Sequence, residues 1–416
     1  MKVLLLTPQL PYPPHQGTSL RNFHIIRGLA KACEVFLLSF LEPGQTAVST
    51  SSTVVPTQIT PLADLCQTIE TVPVPQRSTG KRLVQLLATR RPDMAHRLFS
   101  QAFNVRLLQM LQADEFDIVQ IEGIELARYL PVIRHGSPRS KIVFDDHNAE
   151  TELQRRNFLT DLRQPRRWVA AAYSAEQVRR LRRFERWVCQ QADWVTAVSQ
   201  PDKFHLEKLT KGQTPITVIP NSLDVQQFSL DEAEAIPSDI VFSGKMDYRP
   251  NVDAVLWFVA EVWPIIRRER PSTTFTIVGQ KPHARLDRLR DEPGIALTGW
   301  VARVEPYLAG AKVFVLPFRV GSGTRLKLIE AMAAGKALVS TAVGAEGFPV
   351  EHNRELLLVN DGAGMGTAVL HLLNHPDERQ RLGQAAQQFA QKYDWRVVVP
   401  KFLEIYGQLL SQSVGA

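Results

Sequence analysis

The sequence predicts an α/β protein of two successive domains, each a doubly wound parallel sheet, on three observations. Short apolar, β-branched runs recur along the whole chain, helical patterns separate them, and Gly212, Pro215 and Pro220 interrupt helical continuation near the middle. Nearly continuous apolar runs fit strands covered on both faces by helices, the hallmark of parallel sheets. With 416 residues, 44% hydrophobic and 22% charged, the chain has material for two separate cores, and disorder is not expected.

Taken in order, the first-domain strands are residues 3–6, 35–39, 117–121, 141–144 and 194–198. Residues 42–78, rich in Thr, Ser and Pro, yield no structural reading. A helical segment over 202–209 runs into the break at 211–220, which places the first domain at 1–215 and the second at 216–394. Second-domain strands are expected at 217–219, 240–242, 274–278, 311–316, 337–340 and 355–359, after a connecting loop over 224–237. No repeat of fixed period is present.

Several classes are disfavoured. The apolar run after Met1 is too short for a signal peptide, and no run approaches membrane-spanning length. Cys33, Cys66 and Cys189 lie far apart without metal-ligand spacing, so a reducing cytosol is expected, with the inner face of a membrane as a peripheral location. The net charge of +7 is concentrated over 163–186, where Arg163, Arg166, Arg167, Arg179, Arg180, Arg182, Arg183 and Arg186 face two glutamates among Trp168, Tyr173, Phe184 and Trp187. This stretch reads either as an amphipathic helix with Val178, Leu181, Phe184 and Val188 inward or as a contact for anionic lipid. Nucleic acid is not an expected partner, because neither an aromatic RNA-binding signature nor zinc-finger spacing accompanies the charge.

Ligands of open parallel sheets collect beyond the carboxyl ends of the strands, where loops meet helix starts. Four such loops carry candidates. After the first strand, Gly17 permits close backbone approach and Thr18 can cap a helix beginning near Ser19. Asp145-Asp146-His147-Asn148-Ala149-Glu150 sets four hydrogen-bonding side chains at a strand end, one titrating near neutrality. Phe242-Ser243-Gly244-Lys245-Met246-Asp247-Tyr248-Arg249-Pro250-Asn251 brings two cations to another. The densest is Gly321-Ser322-Gly323-Thr324-Arg325-Leu326-Lys327, followed by Glu330: a glycine loop, two cations and a carboxylate are what a sugar diphosphate requires. Each loop also admits a bland reading, a turn with an ordinary cap or, for Lys327 and Glu330, an intrahelical ion pair.

In these residues the chain resembles the glycosyltransferases of family 4, whose GT-B fold sets two Rossmann-like domains facing a central cleft. The resemblance runs in order through Asp117-Ile118-Val119, Asp145 to His147, Ala192-Asp193-Trp194-Val195-Thr196-Ala197-Val198-Ser199, Val218-Ile219-Pro220-Asn221, Ile277-Val278-Gly279, Thr298-Gly299-Trp300-Val301 and Glu330-Ala331-Met332-Ala333-Ala334-Gly335. It implies a nucleotide-sugar donor and no further cofactor. Gly17 takes the place of a glycine beside the donor, His147 that of a histidine facing the transferring sugar, and Lys245 that of an arginine on the diphosphate. Glu330 matches the glutamate on the donor ribose, and Trp300-Val301 lies where backbone groups meet the base. The catalytic set so implied is His147, Glu330 and Lys245. The donor-binding set adds Gly17, Arg249, Trp300, Val301, Gly321, Ser322, Gly323, Thr324, Arg325 and Lys327.

There are three departures. Ser322 stands where the family commonly has a first glutamate that contacts the donor sugar. A lysine usual just downstream of the arginine is missing at Pro250, with Arg249, Arg325 and Lys327 as candidates to compensate. The usual asparagine-glycine pair reads Asn221-Ser222. Subgroups with similar loops often act in cell-surface or exopolysaccharide synthesis.

Cleavage between the anomeric carbon and the diphosphate builds negative charge on the leaving group, which prearranged cations and amides stabilise. Lys245, Arg325 and Lys327 would do the work of a metal, and no Asp-x-Asp motif is present, so no metal is expected. The resemblance implies retention of configuration. The acceptor, whether glycan, lipid-linked or small molecule, stays open. A nucleotide-sugar epimerase and a non-catalytic binding module are the rival readings. The carboxyl-terminal stretch 395–416 resembles the segment that crosses back onto the first domain in GT-B enzymes.

Overall fold

A computed structural model describes residues 1–14, 17–42, 60–162, 168–228, 234–321 and 323–414. It forms two compact units, one of Met1–Asn221 with Val398–Ala416 and one of Ser222–Val397.

The first unit holds a seven-stranded, all-parallel sheet in the order β3-β2-β1-β4-β5-β6-β7. Its strands are β1 (Lys2–Thr7), β2 (Glu34–Leu41), β3 (Thr68–Pro73), β4 (Ile118–Glu122), β5 (Lys141–Asp146), β6 (Trp194–Ala197) and β7 (Ile216–Val218). β1, β4 and β5 are almost wholly buried, as strands with helices on both faces must be. Two corrections to the sequence reading arise here. Residues 217–219, expected to open the second domain, lie in and beside β7, the edge of the first sheet. β3 was not legible because its Thr-Ile-Glu-Thr-Val-Pro composition blends into a Thr- and Pro-rich surrounding.

The second unit holds a six-stranded parallel sheet in the order β10-β9-β8-β11-β12-β13. These are β8 (Ser238–Ser243), β9 (Phe275–Val278), β10 (Ile295–Leu297), β11 (Ala311–Leu316), β12 (Ala337–Ser340) and β13 (Leu357–Leu358). The three-residue β10 escaped the sequence reading through shortness. In both sheets the strand order reverses beside the first strand of the unit, between β1 and β4 and between β8 and β11. Doubly wound sheets open a crevice at such a switch point.

Local chemistry sets the boundaries. Helix Gln200–Thr210 starts at Ser199, whose side chain accepts from the Asp202 amide, and stops at Lys211 (φ 58) and Gly212 (φ 71), both left-handed. Helix Gly17–Leu29 begins two residues earlier than expected, so Thr18 lies inside its first turn. The terminal helix Pro400–Val414 belongs to the first unit, where Tyr406 donates to Gln120 Oε1 and the Arg21 guanidinium lies 5.8 Å from the Phe402 ring.

Candidate functional site

Each unit gathers polar groups at its own switch point. In the second, two loops converge, one after β8 and one after β11. Gly279, closing β9, has no room for a side chain: a Cβ there would run into the Gly244 carbonyl oxygen. At Gly244 a Cβ would meet the Lys327 ammonium and come within 2.8 Å of Asn251 Nδ2. Asn251 joins the loops, its Nδ2 donating to the Lys245 carbonyl (2.8 Å) and its Oδ1 accepting from Lys327 Nζ (3.0 Å). Sequence reading placed Asn251 in the loop and gave it no role. The missed signal is a short carboxamide in the first turn of helix Arg249–Trp257.

Lys327 is the second residue of helix Leu326–Ala333. Its ammonium lies 4.9 Å from the Phe242 ring and 5.2 Å from Phe318. Burial lowers its pKa to about 7, with the nearby Arg325 charge acting the same way against Glu330. Arg325 is buried, stacks 4.6 Å from the Phe318 centroid and donates to the Gly323 carbonyl (3.2 Å). Gly321 (φ 125) and Gly323 (φ 77) take left-handed conformations that favour glycine, and a Cβ at Gly321 would come within 2.7 Å of Arg325 Nη2. Burial raises Glu330 to about 7, against the pull of Lys327. Among the described residues no ion pair joins Lys327 to Glu330, so the intrahelical pair is not formed; Lys327 turns to Asn251 instead.

Two cations lie at the positive end of a helix dipole, Arg325 buried and Lys327 half-buried, an arrangement that favours an anion. Other candidates stand apart. Lys245 is exposed, its Nζ 4.0 Å from Asp247 Oδ2. Arg249 and Trp300, the latter 71% exposed, have no hydrogen bond or ion pair to the cluster among the described residues. Val301 packs partly buried on the core of the unit. Thr324 lies in the loop beside Arg325, and Ser322 lies outside the described residues.

In the first unit, His147 follows β5 and Gly17 opens the helix after β1. His147 Nε2 lies 3.0 Å from Glu122 Oε2 and 3.6 Å from Asp145 Oδ2. Arg21 clasps Asp145 with Nε (2.7 Å) and Nη2 (2.8 Å), and Thr196 also donates to that carboxylate. Arg21 further donates to the carbonyls of Ile219 (3.0 Å) and Pro220 (2.9 Å) and to Asn221 Oδ1 (3.2 Å). Burial raises His147's partner Glu122 to about 7, while burial of Asp145 is overcome by Arg21, which drives it well below the carboxylate range. His147 is raised to about 9, because the two carboxylates outweigh its burial.

Arg21 and Glu122 were missed in the sequence. A Gln and a Glu inside the apolar β4 run Ile-Val-Gln-Ile-Glu were the available signal, since a buried strand admits them only when paired. Glu122, Asp145 and His147 also bring three ligating atoms within 4.8 Å of one another, as a metal cage would; Arg21 and Thr196 already occupy the Asp145 oxygens. Asp146 points elsewhere, wholly buried, with both oxygens lacking a hydrogen-bond partner among the described residues.

Sequence and structure comparisons fit this picture. A family model described as Glycosyltransferase Family 4 matches residues 16–227, just over half the chain, and one described as Glycosyl transferases group 1 matches residues 237–375. A glycogen synthase of Mycobacterium tuberculosis is 27% identical over 253 residues, 58% of this chain and 59% of that protein. A phosphatidyl-myo-inositol mannosyltransferase of Mycolicibacterium smegmatis is 29% identical over 203 residues, 45% of this chain and 50% of that protein. The chain thus spans between half and three fifths of these relatives' length. Anabaena Alr3699/HepE in complex with UDP superposes with a TM-score of 0.64 at 14% identity, covering 98% of this chain and 100% of that one. Sucrose-phosphate synthase from Thermosynechococcus elongatus gives 0.69 at 15%, covering 99% and 100%. These two likenesses establish the fold, the GT-B class of paired Rossmann-like domains.

Proposed function

We propose, proceeding from the fact that the chain belongs to Glycosyltransferase Family 4, that it transfers a sugar from a nucleotide-sugar donor to an acceptor, without a metal and with retention. The observation that supports this is the half-buried Lys327 ammonium at a helix start, beside buried Arg325 and a glycine loop. Such a site accepts a dianion and neutralises the charge that grows on a leaving nucleoside diphosphate. Lys245, exposed beside Asp247 on the loop after β8, has to swing toward the cluster to meet the same phosphates. Within the second unit Glu330 accepts from the ribose hydroxyls and Trp300 and Val301 meet the base; the family resemblance assigns Gly17 and His147 of the first unit to the sugar. A uridine nucleotide is the first donor to try, because a structural neighbour holds UDP-glucose. The acceptor belongs to cell-surface polysaccharide or glycoconjugate synthesis.

The test is a thermal-shift screen of nucleotide sugars, since a ligand of the folded state raises apparent stability. One donor should raise the midpoint, Lys327→Met and Glu330→Ala should abolish that rise, and adding acceptor extract should release free nucleotide. A rise unchanged in both variants would refute the site.

We also propose that the first unit contacts anionic lipid. On helix Thr79–Ala88 the apolar Val84 and Leu87 are 64% and 79% exposed, with Lys81, Arg82, Arg90 and Arg91 exposed around them. Arg180 of the neighbouring helix Trp168–Gln191 donates to the Thr89 carbonyl (2.7 Å), and that helix turns Ala175, Val178, Arg179, Arg182, Arg183 and Arg186 to one groove. Apolar insertion flanked by cations is how an interfacial helix binds a bilayer. The bland reading of this stretch is also partly right. Leu181, Phe184 and Val188 are buried, Arg179 pairs with Glu176, and Arg186 donates to the Leu209 carbonyl. Val178, expected inward, is only half-buried. Arg163, Arg166 and Arg167 lie outside the described residues.

A further inference from the structure

His147 sits in a buried cluster that reaches well beyond the loop that carries it. The cluster holds two carboxylates, Asp145 and Glu122, both fully buried, and two groups able to bear positive charge, Arg21 and His147. Burying two ionised carboxylates is tolerable only if two cations accompany them. Arg21 offsets one; the other is offset either by a proton on Glu122 itself or by an imidazolium at His147, and the placement of His147 Nε2 against both carboxylates favours the imidazolium.

Hydrogen bonding fixes which atom His147 has left to offer. Its Nε2 is directed at Glu122 Oε2 (3.0 Å) and is flanked by Asp145 Oδ2 (3.6 Å). The other oxygen of Glu122 accepts from Gln120 Nε2, and Gln120 Oε1 accepts from the Tyr406 hydroxyl of the terminal helix. Tyr406 thereby dictates the orientation of the Gln120 carboxamide, which would otherwise be free to turn its oxygen against Glu122. Nδ1 has no partner among the described residues. A Cβ on Gly123 (φ 88) would sit 3.7 Å from it, in ordinary contact. A charged group on that side is Glu125, which Arg97 holds in an ion pair at 3.2 Å.

We propose that Arg21, Glu122, Gln120 and Tyr406 are positioning residues that hold His147 as an imidazolium, with Nε2 committed to Glu122 and the Nδ1 N–H presented to the ligand. In this state His147 donates a hydrogen bond and is not a general base. The proposal rests on the reading of His147 as a group that faces the donor sugar. It agrees with the rise of the His147 pKa to about 9, above that of Glu122 at about 7.

The test is a ¹⁵N NMR titration of histidine-labelled full-length protein without donor, the His147 signals being assigned by their loss in His147→Asn. Both ring nitrogens should report an imidazolium through pH 8. Glu122→Gln, which keeps the shape and removes the charge, should lower the midpoint by about one pH unit or more. Tyr406→Phe, which removes one hydroxyl, should lower it by less while leaving the unfolding midpoint nearly in place. A wild-type midpoint near 6.5, or one unmoved in Glu122→Gln, would overturn the proposal. Because this readout needs no donor, the proposal and the transferase reading fail independently: a protein that never transfers sugar still gives one titration result or the other. Where transfer is measured, Glu122→Gln should lose rate as pH rises between the two midpoints, a loss the wild type shows only at higher pH.

Discussion

At the scale of single residues, the proposed function has two titrations in the second unit set donor affinity with opposite signs. Lys327 in the free protein has a pKa near 7. A bound diphosphate favours its charged form, so above pH 7 binding must take up a proton and affinity falls. Glu330 also sits near 7 and, in the proposed role of accepting from the ribose as a carboxylate, makes affinity fall below pH 7. A nucleotide sugar should therefore bind with a bell-shaped pH dependence. Lys327→Met should remove the alkaline limb and Glu330→Gln the acid one, as calorimetric titrations from pH 5.5 to 9 would show. In the first unit Glu185 is buried and raised to about 7. The native state then binds more protons than the unfolded state between pH 4.5 and 7, so this residue contributes stability at low pH that is lost as pH rises through that window. Glu185→Gln should flatten the decline, read from urea midpoints. Lys327, Glu330 and His147 stood out in the sequence as candidates because ionisable side chains beside glycine, or at a strand end, are rare without a use. Asn251, Arg21 and Glu122 did not, because their partners lie 76, 124 and 25 residues away.

At the scale of elements, the loops after β8 and β9 touch through backbone alone at Gly244 and Gly279. Gly279→Ala should force them apart at a cost of about 2–4 kcal/mol and weaken donor binding through displaced Lys245 and Asn251; denaturant melts and binding curves would register both. A fall in stability with unchanged donor affinity would mean that the loop after β9 does not hold the site. Apolar runs exposed most strands, since central parallel strands have no polar face to hide them. β3 and β10 were hidden by polar composition and by length. The β7 misassignment has a different cause. The Gly and Pro cluster was taken as the domain boundary, whereas the chain makes one more pairing, Val195 with Ile216 through Ala197 with Val218, before leaving the first unit.

At the scale of the molecule, the fold class was readable because rhythm and breaks extend over hundreds of residues, while the membership of each unit depends on a chain return that local pattern does not encode. Lys81, Arg82, Arg90 and Arg91 are exposed around Val84 and Leu87 in a chain of net charge +7. Vesicles containing anionic lipid should bind the protein, neutral vesicles should not, and high salt or Leu87→Glu should release it in a sedimentation assay. The central claim is that Lys327 and its glycine loop hold the phosphates of a nucleotide sugar. Its most direct test is a binding cycle of wild type and Lys327→Met, each titrated with the best-stabilising nucleotide sugar and with the matching nucleoside, which has no phosphate. The account predicts that the substitution weakens the nucleotide sugar by about tenfold or more, as loss of a charged hydrogen bond does, and leaves the nucleoside unchanged. Equal weakening of both ligands, or of neither, would contradict it.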